Sequence, residues 1–166
     1  MTAGHHLAQV NIARMRAPLD DPRMAGFVDE LDRINALGAA QPGFVWIMQE
    51  GDEHGGNTDV RFFGDDTLIV NLTVWEDLDT LMDFVLRTEH VEFLRRRREW
   101  FVRMEAPHVV VWWVPAGHHP DVREAEDRML HLRAHGPTPH AFTLQRSFPP
   151  AGADPSASEP DGRLRA

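Results

Sequence analysis

The chain has 166 residues, 42% of them hydrophobic and 26% charged, which is close to the usage of an ordinary globular domain. It contains no cysteine, which excludes disulfides and thiolate nucleophiles and fits a cytoplasmic protein. No apolar run approaches the roughly 20 residues of a membrane span. The formal charge of −9 argues against nucleic-acid binding, because phosphate contacts need a basic surface. We therefore expect one domain that binds neither a membrane nor nucleic acid.

The first part of the chain predicts a strand followed by a helix. Residues 7–14 alternate between apolar and more polar side chains, as in a strand with two different faces. Apolar residues then recur at helical spacing over 23–37. Pro22 is tolerated at the start of a helix, and Gly38 is a residue type that commonly ends one.

Two strands and a second helical region follow. Residues 44–49 and 67–75 are rich in β-branched and aromatic side chains, and the acidic, glycine-bearing segment 50–66 connects them as a hairpin. Residues 78–101 carry apolar side chains at helical spacing. Asp77, just before them, is a residue type that caps helix N-termini.

The last part predicts a strand, a helix and a tail. Residues 108–114 are almost continuously β-branched or aromatic, and Pro120 opens a helix that runs to about residue 133. Residues 149–166 offer little to bury, so we expect a disordered tail after a single domain of residues 1–148. The element order β-α-β-β-α-β, with an extra C-terminal helix, is the ferredoxin-like α+β arrangement.

One face of this sheet is predicted to be polar and aromatic. We expect the two main helices to cover the other face, which leaves this face uncovered in the monomer. A mixed face of this kind suggests a partner subunit and a cavity between the sheets, so we expect a homodimer. The residues that alternation assigns to the face are Gln9, Asn11, Asn71, Thr73 and Trp75.

Two stretches resemble the dimeric α/β-barrel superfamily, which includes the antibiotic-biosynthesis monooxygenases and the haem-degrading monooxygenases. In that superfamily a strand ends in Trp and a His follows on a helix. The matching stretches here are Leu72-Thr73-Val74-Trp75-Glu76 and Thr88-Glu89-His90-Val91-Glu92-Phe93-Leu94. Asn11 is similar to the Asn that such monooxygenases place against their substrate. The resemblance implies a ferredoxin-like fold that dimerises into an α/β barrel.

A closer resemblance, over residues 7–148, is to a bacterial family of unassigned function. It is carried by four stretches: Asn11-Ile12-Ala13-Arg14, Arg95-Arg96-Arg97-Arg98-Glu99-Trp100-Phe101, Trp112-Trp113-Val114-Pro115-Ala116-Gly117 and His135-Gly136-Pro137-Thr138-Pro139. This second resemblance supports the fold and implies no particular chemistry.

The superfamily resemblance makes Asn11, Trp75 and His90 the candidate catalytic residues. Asn11 would orient a substrate carbonyl or stabilise its enolate, or else pair with Asn71 as a structural element. Trp75 would form a wall for an aromatic substrate, or pack at a dimer interface. His90 would transfer a proton, serve as a haem ligand, or lie on the helix surface.

Further candidates would contact the ligand without reacting. They are Gln9, Asn71, Thr73 and Trp112. Trp112 and Trp113 point to opposite sheet faces, so only one of them can line the cavity. His131 and His135 lie four apart on a predicted helix, but no clear third ligand accompanies them, so we predict no metal site.

Two classes of function fit these patterns. The first is an enzyme acting on a small apolar or aromatic metabolite as a cofactor-independent monooxygenase, with a cyclase or isomerase as the alternative for the same pocket. The second is a non-catalytic protein that binds a ligand or haem. We predict no cofactor, with haem as the alternative.

Overall fold

The computed structural model describes residues 4–49, 61–87 and 90–153. The strands are β1 (His5–Met15), β2 (Phe44–Ile47), β3 (Leu68–Trp75), β4 (Phe101–Val102) and β5 (Val109–Pro115). The α-helices are α1 (Ala25–Ala39), α2 (Leu78–Arg87), α3 (His90–Trp100) and α4 (Val122–His135). The predicted α+β element order is confirmed, with the second helical region divided into α2 and α3. None of the helices in these ranges is long and apolar enough to cross a membrane.

The strands form one antiparallel sheet around the long strand β1. Strand β3 pairs along one edge of β1, and β2 extends the sheet beyond β3. The other edge of β1 pairs with β5 and, at its end, with the short strand β4. This strand order, with helices in the two crossovers, is the ferredoxin-like fold that the sequence predicts.

Each face of the sheet is covered by helices of the same chain. On the face that carries Gln9 and Asn11, α2 packs against Leu7 and Trp75, and α1 and α3 pack against Ile69. The prediction that this polar face is uncovered is therefore wrong. Period-two alternation separates the two faces of a strand, but it does not say which helix covers which face.

Helix α4 covers the opposite face. Ala125, Met129 and Leu132 are at most 2% exposed and pack on the apolar residues of the strands. The Glu126 carboxylate accepts a hydrogen bond of 2.6 Å from the backbone N–H of Phe63, which holds α4 to the short 3-10 helix Phe62–Gly64. Within the described chain, neither face of the sheet is therefore open.

Two local predictions about helix ends have different outcomes. Asp77 caps α2 as predicted, because its Oδ1 accepts a hydrogen bond of 2.9 Å from the backbone N–H of Thr80. Gly38 lies inside α1 and does not end it. A Cβ at this position would lie 3.3 Å from the ring of Phe84, so the glycine permits a close approach of α1 and α2.

The chain after α4 forms an arm along β5. Val111 and Phe142 exchange two backbone hydrogen bonds of 2.9 Å, and the carbonyl of Phe148 accepts a bond of 2.7 Å from the indole of Trp113. Residues 149–153, which the sequence assigns to the disordered tail, include a turn and the buried Pro150. The rest of that predicted tail lies outside the described residues.

Candidate functional site

A cavity of about 110 Å³ lies between the sheet and helices α1, α2 and α3. A single water needs about 10–15 Å³ on this measure, and a cavity of about 150 Å³ accepts benzene, so this space has the scale of one small ring. Its polar lining from the sheet comes from Asn11, Asn71 and Thr73. The aromatic lining residues are Phe27, Phe44, Trp75, Phe84, Phe93 and Phe101.

The cavity forms over the polar middle of the sheet because the helices pack on its two apolar ends. Leu7 and Trp75 belong to one apolar cluster and Ile69 to another. Between them, Gln9 lies opposite Thr73, and Asn11 lies opposite Asn71. If the helices packed closely on these side chains, polar groups would lose contact with water, which costs free energy wherever a group has no other hydrogen-bond partner. The cavity therefore lies where polar cross-strand pairs replace apolar side chains in the sheet.

Trp75 forms one end of the cavity and is only 1% exposed. The ring of Phe84 stacks on the indole at a centroid distance of 5.3 Å, and the ring of Phe44 meets it edge-on at 5.5 Å. Both arrangements are ones that aromatic pairs prefer. The indole is therefore held from two sides before any ligand binds.

A chain of hydrogen bonds fixes the polar edge of Trp75. Its Nε1–H donates to Thr73 Oγ1 at 3.1 Å, and the Thr73 hydroxyl donates to Gln9 Oε1 at 2.9 Å. Thr73 is 6% exposed, so the chain runs through a buried hydroxyl. Gln9 does not line the cavity itself; it orients Thr73, which does.

Asn11, a lining residue of the cavity, carries an unsatisfied acceptor. Its Oδ1 is buried, and no partner for it exists among the described residues. Leaving a buried acceptor unpaired costs about 1–3 kcal/mol, which a donor from a bound molecule would recover. Asn71, directly across on β3, adds a second carboxamide to the same cavity.

The structure brings Asn11, Asn71, Thr73 and Trp75 together in one cavity wall, on the sheet face that the sequence assigns to them. His90 is the first residue of α3, and its side chain lies outside the described residues. On that helix it lies one turn before Phe93, which lines the cavity. Its proton-transfer role stays a prediction.

Trp112 does not reach the cavity, which corrects its assignment as a ligand-binding residue. It pairs with Ala8 on the face covered by α4 and is fully buried there. Its indole Nε1–H donates a bond of 2.9 Å to Glu124. The sequence separates Trp112 from Trp113 by face, but only the helix packing shows which face holds the cavity.

Helix α1 supplies lining residues that the sequence reasoning missed. They are Phe27, Leu31, Ile34, Asn35 and Gly38. Their spacing is that of one helix face, which indicates burial and does not indicate a ligand. Asn35 is the one available signal, because a carboxamide within an apolar stripe is unusual.

Histidines cluster away from the cavity, on α4 and the following arm. The ring of His131 lies 4.6 Å from that of His135 and 4.7 Å from that of His140. Burial lowers the pKa of His140, and the neighbouring Arg128 guanidinium and His131 lower it further. In the described parts of the chain, no three His, Cys, Asp or Glu side chains are arranged to hold a metal ion.

Haem, the alternative cofactor, stays a prediction, and its macrocycle is larger than this cavity alone. A space of about 110 Å³ has the scale of one small ring and not of a macrocycle of four pyrroles. No histidine occurs among its described lining residues to serve as an axial ligand.

The fold is a ferredoxin-like α+β domain with a cavity of about 110 Å³ between the sheet and helices α1, α2 and α3. The chain belongs to the family described as a domain of unknown function, DUF3291, whose profile matches residues 6–158. This confirms the predicted resemblance to a family of unassigned function. A search of curated proteins finds no match.

Solved structures with similar folds share little sequence with this chain. A protein of Pseudomonas aeruginosa is 15% identical over 71% of this chain and 99% of its own, with a TM-score of 0.46. SnoaB, a cofactor-independent oxygenase from Streptomyces nogalater, is 22% identical over 68% of this chain and 94% of its own, with a TM-score of 0.41. A DABB family protein with a ferredoxin-like fold from Mesorhizobium loti is 14% identical over 69% of this chain and 99% of its own, with a TM-score of 0.42.

Proposed function

We propose that this protein binds a small aromatic molecule with a hydroxyl group in the cavity and oxygenates it without a cofactor. The observation that carries the proposal is the buried, unpaired Oδ1 of Asn11, a residue that lines a cavity walled by Trp75 and five phenylalanines. Transfer of an apolar ring from water to such walls lowers its free energy. The hydroxyl group of the ring supplies the hydrogen-bond donor that the Oδ1 of Asn11 lacks.

The reaction would use the electrons of the substrate itself. In a ring with two hydroxyl groups, one can donate to Asn11 while the other loses its proton. The ring then becomes an electron-rich phenolate, and an amide N–H of Asn71 would donate to the phenolate oxygen. The phenolate reduces O₂ and forms one C–O bond with it. Loss of water then leaves a quinone. One oxygen atom enters the ring and the other leaves as water with two substrate hydrogens, so no external reductant is needed.

The apolar walls would contribute by excluding water. A reactive oxygenated intermediate is protected from hydrolysis and side reactions when the site is dry. The rigid packing of Phe44 and Phe84 on Trp75 would hold the ring in one orientation against Asn11. His90, one turn before Phe93, would take the hydroxyl proton.

Oxygen labelling tests this proposal. The purified protein is incubated with 5-methylresorcinol under heavy-isotope O₂, and the product is analysed by mass spectrometry. We expect a quinone with one labelled oxygen, and a rate lowered by about 100–1,000-fold in Asn71→Leu, the size of a lost oxyanion donor. Product formation at the buffer rate, with the ligand bound, would contradict the oxygenase and leave a binding protein.

That binding protein is the second candidate, and one observation favours it. None of the described side chains that line the cavity is an Asp, Glu, His, Lys or Arg. A general base near neutral pH usually comes from such a group. Without a contribution from His90, the cavity would hold its ligand and leave it unchanged.

A further inference from the structure

A second, larger cavity adjoins the first between helix α1 and strand β2. Its volume is about 400 Å³, and three residues, Leu31, Asn35 and Ile47, line both cavities. A molecule that fills both spaces would pass between these three side chains. We call the first cavity the inner compartment and its neighbour the outer compartment.

The two compartments differ in chemistry. The inner one is aromatic, whereas the outer one is lined by the polar residues Asp32, Asn35 and Gln49, together with Met48 and aliphatic side chains of α1 and β2. Asp32 is exposed and brings a carboxylate to the outer compartment. None of the residues that line the outer compartment, within the described chain, is Lys or Arg.

We propose that the ligand has two parts: a single aromatic ring in the inner compartment, and a neutral or cationic extension that Asp32 recognises in the outer one. This inference rests on the proposed function, because it assumes that the inner cavity holds the ring. Carboxamides and a carboxylate accept hydrogen bonds from hydroxyl and ammonium groups. The same carboxylate repels an anionic extension, as does the chain's net charge of −9.

A series of four phenols separates the two compartments. 4-Ethylphenol ends in a methyl group, tyrosol in a hydroxyl, tyramine in an ammonium and 4-hydroxyphenylacetate in a carboxylate. Binding of each is measured by calorimetric titration at low salt. We expect tyramine to bind about two- to fivefold more tightly than tyrosol, the size of an exposed ion pair, and 4-hydroxyphenylacetate to bind most weakly.

Asp32→Asn is the test variant and Asp127→Asn, on the exposed surface of α4, is its matched control. We expect Asp32→Asn to remove the preference for tyramine over tyrosol and to leave the affinity for 4-ethylphenol unchanged, while Asp127→Asn changes neither. If 4-ethylphenol binds but Asp32→Asn keeps the preference, the outer compartment is not used and only this inference fails. If 4-ethylphenol does not bind the wild-type protein at all, the proposed function fails with it.

Discussion

The indole N–H of Trp75 donates a hydrogen bond of 3.1 Å to the hydroxyl of Thr73, and both side chains are buried. Thr73→Val keeps the shape of the side chain but removes this acceptor. We expect a loss of about 1–3 kcal/mol in the free energy of unfolding, because the indole N–H stays buried without a partner. Urea denaturation measures the loss, and the indole proton of Trp75 should shift in the NMR spectrum.

Thr67→Val is the control for this prediction. Thr67 is exposed, although its hydroxyl also makes hydrogen bonds, with Asp65 and Arg14. We expect its substitution to change stability by less than about 0.5 kcal/mol, as at most surface positions. Equal losses of unfolding free energy at the two threonines would show that the hydrogen bond from Trp75 stabilises the protein no more than a surface hydrogen bond does.

Helix α4 should contribute to stability through one face only. Met129 is fully buried against the sheet, whereas Leu130, the next residue, is 52% exposed. We expect Met129→Ala to cost about 2–5 kcal/mol and Leu130→Ala to lie within about 0.5 kcal/mol of the wild type. Thermal and urea unfolding measure both. A small effect at Met129 would mean that α4 is not docked on the sheet in solution.

The attachment of the arm after α4 should weaken in acid. Arg128 donates a bond of 2.9 Å to Nδ1 of His140, which requires that nitrogen to be unprotonated. Burial, Arg128 and His131 lower the pKa of His140 below its ordinary 6.5. The unfolded chain then binds this proton at a higher pH than the folded chain does. Neutral His140 therefore stabilises the folded protein fully above the ordinary pKa of 6.5. This stabilisation is lost as the pH falls toward the lower pKa that His140 has in the folded chain.

We therefore expect His140→Gln to flatten the dependence of unfolding free energy on pH between about 7.5 and 5, the range in which histidine titrates. The wild-type slope in the His140 variant would contradict the assignment.

The alternation of β1 and β3 was sufficient to place four cavity residues on one face. Asn11, Asn71, Thr73 and Trp75 follow from period two alone, because each strand is regular over its length. The position of α4 could not be predicted in this way. Its inner residues, Ala125 and Met129, show that one helix face is buried, but not which sheet face receives it. The assignment of Trp112 failed for the same reason.

The homodimer stays a prediction, although the uncovered face that first suggested it is covered by the chain's own helices. Sedimentation equilibrium at micromolar concentration should give about twice the 18.9 kDa of one chain. A single species at the mass of one chain would contradict the predicted homodimer.

The central claim is that Asn11 accepts a hydrogen bond from a ligand in the inner cavity, and one paired titration tests it most directly. 4-Ethylphenol and 4-ethyltoluene differ only in a hydroxyl against a methyl group of similar size. Their affinities are measured by calorimetry for the wild type and for Asn11→Leu, which keeps the size of the side chain but removes its acceptor.

We expect the wild type to bind 4-ethylphenol more tightly than 4-ethyltoluene. The ratio of the two affinities should fall about three- to tenfold in Asn11→Leu, which corresponds to the loss of one buried hydrogen bond. Circular dichroism and thermal unfolding confirm that the variant is folded. The contrary result is an unchanged ratio in a folded Asn11→Leu protein, which would show that the unpaired oxygen of Asn11 does not bind the ligand.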